Sequence, residues 1–460
     1  MGHNETYTLS PEQKSAFYSK MIKIAIPVII QNIISIGLGV ADTMMIGKLG
    51  EAEIAGVGAG NQLFWLFWGI IFGFYSGANA HAAQYWGAGD RKKTLHVLGM
   101  DYAVGATIGL LTILSTYLVG DKLLWFFSRD PEVIGYGLAY MRVACFSYFF
   151  SFLSYAFIFN CRVVQRLTFV TSANVVSLFF NIFLNWVFIF GKLGAPRLGV
   201  VGVALATTIT RAVELIAVII YMLSVKDHPL RAKVSELFGF SREFFKKVAK
   251  TASPVVITEA AFSILASATF AIYGILGTSA LSVIQVAEVV ANMAQVVFFG
   301  LGNAAAVTIG GALGVNDDKT AYEYARITVK LACILCVIVC GTIFVIARPV
   351  SAFYDFDPTT IELLVQVLYV WAIITVPKML GYVFVCGILR AGGDTLFTLY
   401  VDIGGNVLLQ IPLALLAVVV LELPLPFCIL MVTMNDCVKL VIFIWRFFSK
   451  KWINMYNKAA

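Results

Sequence analysis

The sequence predicts an all-α integral membrane protein, with twelve transmembrane helices in two parallel six-helix bundles related by a pseudo-twofold axis along the membrane normal. Three observations predict it. Hydrophobic residues fill 60% of the 460 positions and charged residues 13%, with a mean hydropathy of +0.87. A soluble domain carries roughly 25% charged residues, and this much apolar surface would associate in water. The apolar residues fall in twelve continuous runs, each long enough for the ~20 residues that cross a bilayer. Finally, the two halves repeat at one fixed offset, Pro27 falling on Pro254. A cytosolic enzyme, a secreted scaffold and a disordered chain are excluded by the same composition.

In order, the runs cover about 21–46, 54–84, 95–119, 133–158, 167–190, 199–224, 248–273, 280–312, 326–347, 361–387, 396–420 and 424–448. They are continuous rather than short and alternating, which excludes a transmembrane barrel. The first 20 residues are polar and hold no signal-peptide apolar core, so the first span is expected to insert uncleaved. Gly69, Gly73 and Gly77 recur at spacing four in the second span, a small-residue face for close helix packing. The spans give an N-terminal lobe over 1–224, a cytoplasmic linker over 225–247 and a C-terminal lobe over 248–460. A basic amphipathic stretch from Ser241 to Lys250 is expected to lie on the membrane surface.

Orientation follows from Lys and Arg. The loops on the side of the termini hold 23 and those on the other side 6. The positive-inside rule then places both termini in the cytoplasm, in a multi-pass protein of the cell (inner) membrane. The formal charge of +7 is accounted for by these loops, so no nucleic-acid partner is expected. At the repeat offset Gly47, Leu49 and Gly50 meet Gly274, Leu276 and Gly277. Gly73 meets Gly300, Gly87 meets Gly314, Asp90 meets Asp317, and Asp130-Pro131 meets Asp357-Pro358. Six spans per half is an even number, so the halves run parallel.

Enzymatic chemistry has no foothold in these residues. The eight Cys lie in or beside apolar segments, and even the Cys333-x-x-Cys336 pair falls inside one, as small packing residues do. The four His share no zinc-ligand spacing. There is no HExxH and no P-loop, and no ring of pore-lining charges marks a channel. No cofactor is expected.

The ionisable groups at membrane depth are therefore the candidates, because each is costly there. Asp42 lies near the outer end of the first span. Asn181 and Asn185 lie near the same end of the fifth, and Thr207 about two turns into the sixth. A carboxylate, two amides and a hydroxyl at one depth can hold a proton or a dehydrated Na⁺. Glu259 sits mid-span in the seventh span and Lys378 at similar depth in the tenth, where an ion pair is expected. Arg211 with Glu214, and Asp436 with Lys439, stand at i,i+3 and are expected to neutralise each other. Asp101, Arg142, Glu288 and Asp402 fall nearer span ends, where snorkelling is cheap. Glu288 can there attract a cationic substrate. Phe64, Trp65, Phe67 and Trp68 in the second span, with Phe146, Tyr148, Phe149, Phe150 and Tyr155 in the fourth, offer ring faces to flat cations.

Several segments together resemble the multidrug and toxic compound extrusion (MATE) family. They are Pro27 to Gly50 (PVIIQNIISIGLGVADTMMIGKLG), Ala83 to Asp90 (AQYWGAGD), Asn181 to Gly191 (NIFLNWVFIFG), Gly199 to Thr207 (GVVGVALAT) and Leu389 to Thr395 (LRAGGDT). The resemblance spans nearly the whole chain. It implies a monomeric secondary-active multidrug exporter among membrane lipids, not an enzyme. Such an antiporter moves amphipathic cationic compounds out in exchange for H⁺ or Na⁺ by alternating access. It also implies that Asp42, Asn181, Asn185 and Thr207 match the family's N-lobe cation site, and that Glu259 matches a coupling glutamate of the NorM-like branch. A Na⁺ at Asp42 or Glu259 is the one metal implied. Two departures weaken a Na⁺ site: some members carry aspartate where this chain has Asn185, and Lys378 occupies a tenth span with no acid between Glu362 and Asp394. The major facilitator loop signature is a poor match, because Gly87 to Lys93 is one residue short and lacks its second glycine. A lipid-precursor or polysaccharide flippase of related fold stays the alternative.

Overall fold

A backbone in lipid has no water to bond, so it must satisfy its own N–H and C=O groups as helix. The structure, a computed structural model, describes residues 9–46, 51–127, 131–276, 278–352 and 357–454. Six long helices come first: α1 (Pro11–Ile46), α2 (Glu51–Gly87), α3 (Arg91–Phe127), α4 (Pro131–Val163), α5 (Thr168–Phe190) and α6 (Val200–Ser224). A short helix α7 (Val234–Leu237) leads to α8 (Arg242–Tyr273), α9 (Thr278–Gly314) and α10 (Asp318–Ser351). Then follow α11 (Pro358–Tyr382), α12 (Thr395–Gly405), α13 (Ile411–Leu415) and α14 (Leu425–Phe448). Three π-helical stretches, Val383–Leu389, Asn406–Gln410 and Leu416–Val420, extend α11 and join α12 to α13 and beyond. Among the described residues eleven helical segments are long and apolar enough to cross a membrane. The remaining expected span lies in α2, which is helical from Glu51 to Gly87.

The chain forms two compact units. The first comprises the chain up to Ile29, Ala83–Gly89 and the chain from Ser253 on; the second comprises Ile30–Ala82 and Asp90–Ala252. They follow the two halves of the sequence except that the start of α1 and the end of α2 group with the C-terminal half. Within the first unit the ends of α2 and α9 cross at glycines. A Cβ on Gly87 would lie 2.2 Å from the Gly311 carbonyl oxygen, and one on Gly314 would lie 2.0 Å from that of Gln84. Any side chain would force these backbones apart. In the second unit Gly77 meets the Ala252 backbone in the same way.

The repeated aspartates are helix caps. Asp90 accepts from Lys93 N at 3.0 Å ahead of α3, and Asp317 from Thr320 N at 3.0 Å ahead of α10. Each satisfies a first-turn N–H that has no partner in its own helix. Asp357 does the same for α11 through Thr360 N at 3.0 Å, with Pro358 in the first turn, where its missing N–H costs nothing. Asp130 lies outside the described residues. The LRAGGDT segment is bound into the first unit just as firmly. Arg446 grips Asp394 with two parallel bonds of 2.6 and 3.1 Å, Gly393 takes a positive φ of 77°, and Gly392 abuts the Trp452 backbone.

The basic stretch from Ser241 to Lys250 is helical from Arg242 on. It forms the first turns of α8, because no breaker stands before Pro254 and the helix runs through that proline as well. The linker ahead of it packs on α3. Arg91 donates to the carbonyl oxygens of Pro229, at 2.9 Å, and Arg231. His96 meets the ring edges of Phe240 and Phe244.

Candidate functional site

In the second unit, α5 and α6 bring three of the expected residues together. Asn181 and Asn185 are one turn apart and fully buried. Asn185 Nδ2 donates to Asn181 Oδ1 at 3.0 Å, and Asn181 Nδ2 donates to Thr207 Oγ1 at 3.3 Å. The result is a neutral polar relay whose amide and hydroxyl oxygens are the hard donors an alkali cation prefers. The fourth expected member, Asp42, sits on the helical backbone of α1, but its side chain lies outside the described residues. On the same α6, Arg211 pairs with Glu214 at 2.7 Å, the i,i+3 neutralisation that the spacing suggests.

The first unit holds two further charge clusters. Glu259 was expected to pair with Lys378; instead Arg390 Nη2 reaches Glu259 Oε1 at 2.8 Å. The pair lies between α8 and the end of the π-helical stretch Val383–Leu389, with Arg390 4% exposed and Glu259 22%. Depth along the chain placed Lys378 level with Glu259, but depth says nothing of which way a side chain faces. Lys378 instead stands 4.9 Å over the Trp371 ring, a cation–π contact two turns back along its own helix, with Asp436 and Glu288 as the acids in electrostatic range.

A second network joins α12, α14 and α8. Lys439 Nζ reaches Asp436 Oδ1 at 3.2 Å, Asp402 Oδ1 at 3.7 Å and Asn406 Oδ1 at 3.1 Å. Asn435 Nδ2 donates to Asn406 Oδ1 at 3.0 Å and to Gln410 Oε1 at 3.4 Å, and Gln410 Nε2 donates on to Thr269 Oγ1 at 2.9 Å. Asp402 is therefore a partner in a buried cluster, not a snorkelling residue. Sequence reading missed Asn406, Gln410 and Asn435. The signal was available, since Asp402, Asn406 and Gln410 recur at spacing four on one face. Among the described residues no three His, Cys, Asp or Glu side chains gather as metal ligands.

The aromatic residues pack chiefly on one another. Phe64 stacks on Trp68 and Phe152 at centroid distances of 6.0 and 6.2 Å and meets the tilted Tyr148 ring at 4.7 Å, and Trp68 meets Tyr155 at 4.5 Å. Trp65 and Phe146 are exposed, as are Arg142 and Glu288.

Long helices, a twofold repeat and paired charges at membrane depth define a multi-pass membrane transporter. The MatE family model matches the chain twice, over residues 27–187 and 254–416, each match starting at one of the repeat-related prolines. The chain belongs to this family, the MATE transporters, and is NorM-like within it. It is 25% identical over 336 residues to a probable multidrug resistance protein NorM of Agrobacterium fabrum, covering 72% of this chain and 71% of that one. It is 26% identical over 410 residues to the multidrug resistance protein MdtK of Edwardsiella ictaluri, covering 85% and 86%. Among solved structures, the Vibrio cholerae MATE transporter VcmN in the bent form superposes with a TM-score of 0.85 at 16% identity, over 96% of this chain and 99% of that one. A transporter of the MOP superfamily from Pyrococcus furiosus superposes with a TM-score of 0.85 at 20% identity, over 95% and 97%.

Proposed function

We infer that this protein is a secondary-active multidrug exporter of the cell membrane, with both termini cytoplasmic. It moves amphipathic cationic compounds outward in exchange for H⁺ or Na⁺ by alternating access. The observation that carries this reading is similarity over most of the chain to transporters named for multidrug resistance, on an all-helical scaffold that holds ion pairs and amide relays inside it. Asp42, Asn181, Asn185 and Thr207 serve as the coupling site of the N-terminal half, and Glu259 as that of the C-terminal half. Arg390 gives the latter a particular logic. A cation arriving at Glu259 must displace or share the Arg390 contact, so ion binding and the position of the segment after α11 are linked. Lys378 stands apart from this pair, over Trp371 and within electrostatic range of Asp436 and Glu288.

The test is efflux of a fluorescent lipophilic cation from proteoliposomes, with the pH gradient and the Na⁺ gradient imposed separately. Efflux driven by one gradient and reduced by Asp42→Asn or Glu259→Gln supports the reading. Efflux indifferent to both gradients refutes secondary coupling, and lipid-precursor translocation in its place favours the flippase.

A further inference from the structure

Asp101 on α3 has no part in the reading above, yet it is fully buried, at 0% exposed. It was expected to snorkel from a span end. Instead α3 begins as early as Arg91 and runs unbroken past it, so the carboxylate is enclosed by protein. One side chain answers it. Asn160 of α4 donates through Nδ2 to Asp101 Oδ2 at 2.7 Å, and the same amino group also serves the Ala156 carbonyl at 2.9 Å. Among the described residues no cation lies within salt-bridge distance of Asp101.

The hydrogen-bond accounting is lopsided. Asp101 Oδ1, Asn160 Oδ1 and the Tyr102 hydroxyl are buried without a partner. The Tyr75 hydroxyl, which a Cβ on Gly105 would meet at 2.3 Å one turn along α3 from Asp101, is spent on the Phe152 carbonyl at 2.9 Å. Two acceptors therefore lack a donor, and a buried polar atom left unpaired is costly. One proton on Oδ1 removes the charge and turns an acceptor into a donor. Among the described residues the titratable groups in electrostatic range of Asp101 are Tyr75 from α2 and Tyr102 on its own helix, with Cys161 of α4 beside Tyr102 and Arg162 beside Cys161. The Arg162 guanidinium is directed to Gln31 Oε1 at 3.2 Å and over the Phe159 ring at 4.5 Å. The short helix α7 sets the Leu237 backbone against Gly99, and its one acid, Glu236, accepts from Lys233 N at 2.7 Å.

We propose that Asp101 with Asn160 is a proton-binding site of the N-terminal half, separate from Asp42 and Glu259, that takes up and releases a proton during transport. On uptake a proton from water bonds to Oδ1. On release the proton returns to water and the ionised carboxylate keeps the Asn160 amide as its donor. The exchange step rests on the transport reading; the protonation itself does not.

Infrared difference spectroscopy of the protein in lipid tests it, comparing wild type with Asp101→Asn, which preserves size. A protonated-carboxyl band is expected in wild type, absent from Asp101→Asn and lost or shifted when a transported cation is added. Gradient-driven efflux by Asp101→Asn is expected to fall about tenfold. No such band means an ionised Asp101 and overturns the proposal. A band that neither substrate nor pH changes, with wild-type efflux from Asp101→Asn, makes Asp101 a structural acid and overturns the exchange. The band is read without any gradient, so it stands even if efflux proves uncoupled. Should Asp101→Asn fail to fold, Asn160→Leu removes the carboxyl's one donor and must move the same band; an unmoved band overturns the assignment.

Discussion

The two halves of the chain share one scaffold and differ in their buried chemistry. What repeats is structural: Pro27 and Pro254, Gly87 and Gly314, and the capping Asp90 and Asp317. What does not repeat is ionisable. At the same offset Asp42 falls on Thr269, Asp101 on Thr328, Glu259 on Asn32 and Lys378 on Ser151. The N-terminal half runs its polar relay through neutral amides, Asn185 to Asn181 to Thr207, whereas the C-terminal half uses Glu259 with Arg390 and Lys439 with two aspartates. A repeated acid is thus a cap, and an unrepeated one at membrane depth is a candidate for function.

The sharpest way to break this contrast is Arg390→Met. It strands a largely buried carboxylate, and losing one partner of such a pair costs about 3 kcal/mol. A marked fall in melting temperature is expected, with Glu259→Gln added on the same chain restoring much of it. No recovery in the double variant would mean the two residues act separately. The repeated glycines should behave as a matched set. Gly87→Ala and Gly314→Ala each add a methyl where a carbonyl oxygen already stands, costing about 2 kcal/mol of overpacking. Unequal melting shifts would show that the two crossings carry different loads. Smaller still are the caps. Asp90→Ala and Asp317→Ala should each cost about 1 kcal/mol and leave coupling untouched, and an effect on ion dependence would remove the line drawn between repeated and unrepeated acids.

The smallest effect is on acidity. Hydrogen bonds from Thr359 and Thr360 hold the Asp357 carboxyl from its ordinary 3.8 down to about 2. Its folded value lies below the unfolded one, so its cap is complete above 3.8 and is lost as pH falls through about 2. Amide exchange at Thr360 should accelerate across that window and not at neutral pH.

These contrasts mark how much was legible in the sequence. Long apolar runs and charged loops are one-dimensional signals, so the spans and the repeat could be read directly. The AQYWGAGD and LRAGGDT segments were recognisable, but their work is structural: a glycine crossing, a cap, and an Arg446–Asp394 clamp. The partner of Glu259 was not legible. Counting residues gives depth but not azimuth, and Arg390, next to Gly392 and Gly393, reads as a loop residue. The π-helical stretch Val383–Leu389 changes the angular period just before it, so a 3.6-residue wheel cannot aim it. Asp101 was misplaced because the apolar run understates α3, whose polar first turns are also helix.

The crossing of α2 and α9 has one more implication. Position 87 meets 311 while 314 meets 84, and the offset that carries 87 to 314 also carries 84 to 311. A contact in which each partner touches the other's equivalent is what two identical bodies make about a twofold axis. Two separate six-helix chains of this sequence pattern, inserted in the same direction, would meet through the same glycines as a symmetric dimer. In such a dimer one substitution strikes the joint twice. In the fused chain each side is free to change alone, as Asp42 falling on Thr269 and Glu259 on Asn32 at the repeat offset illustrate.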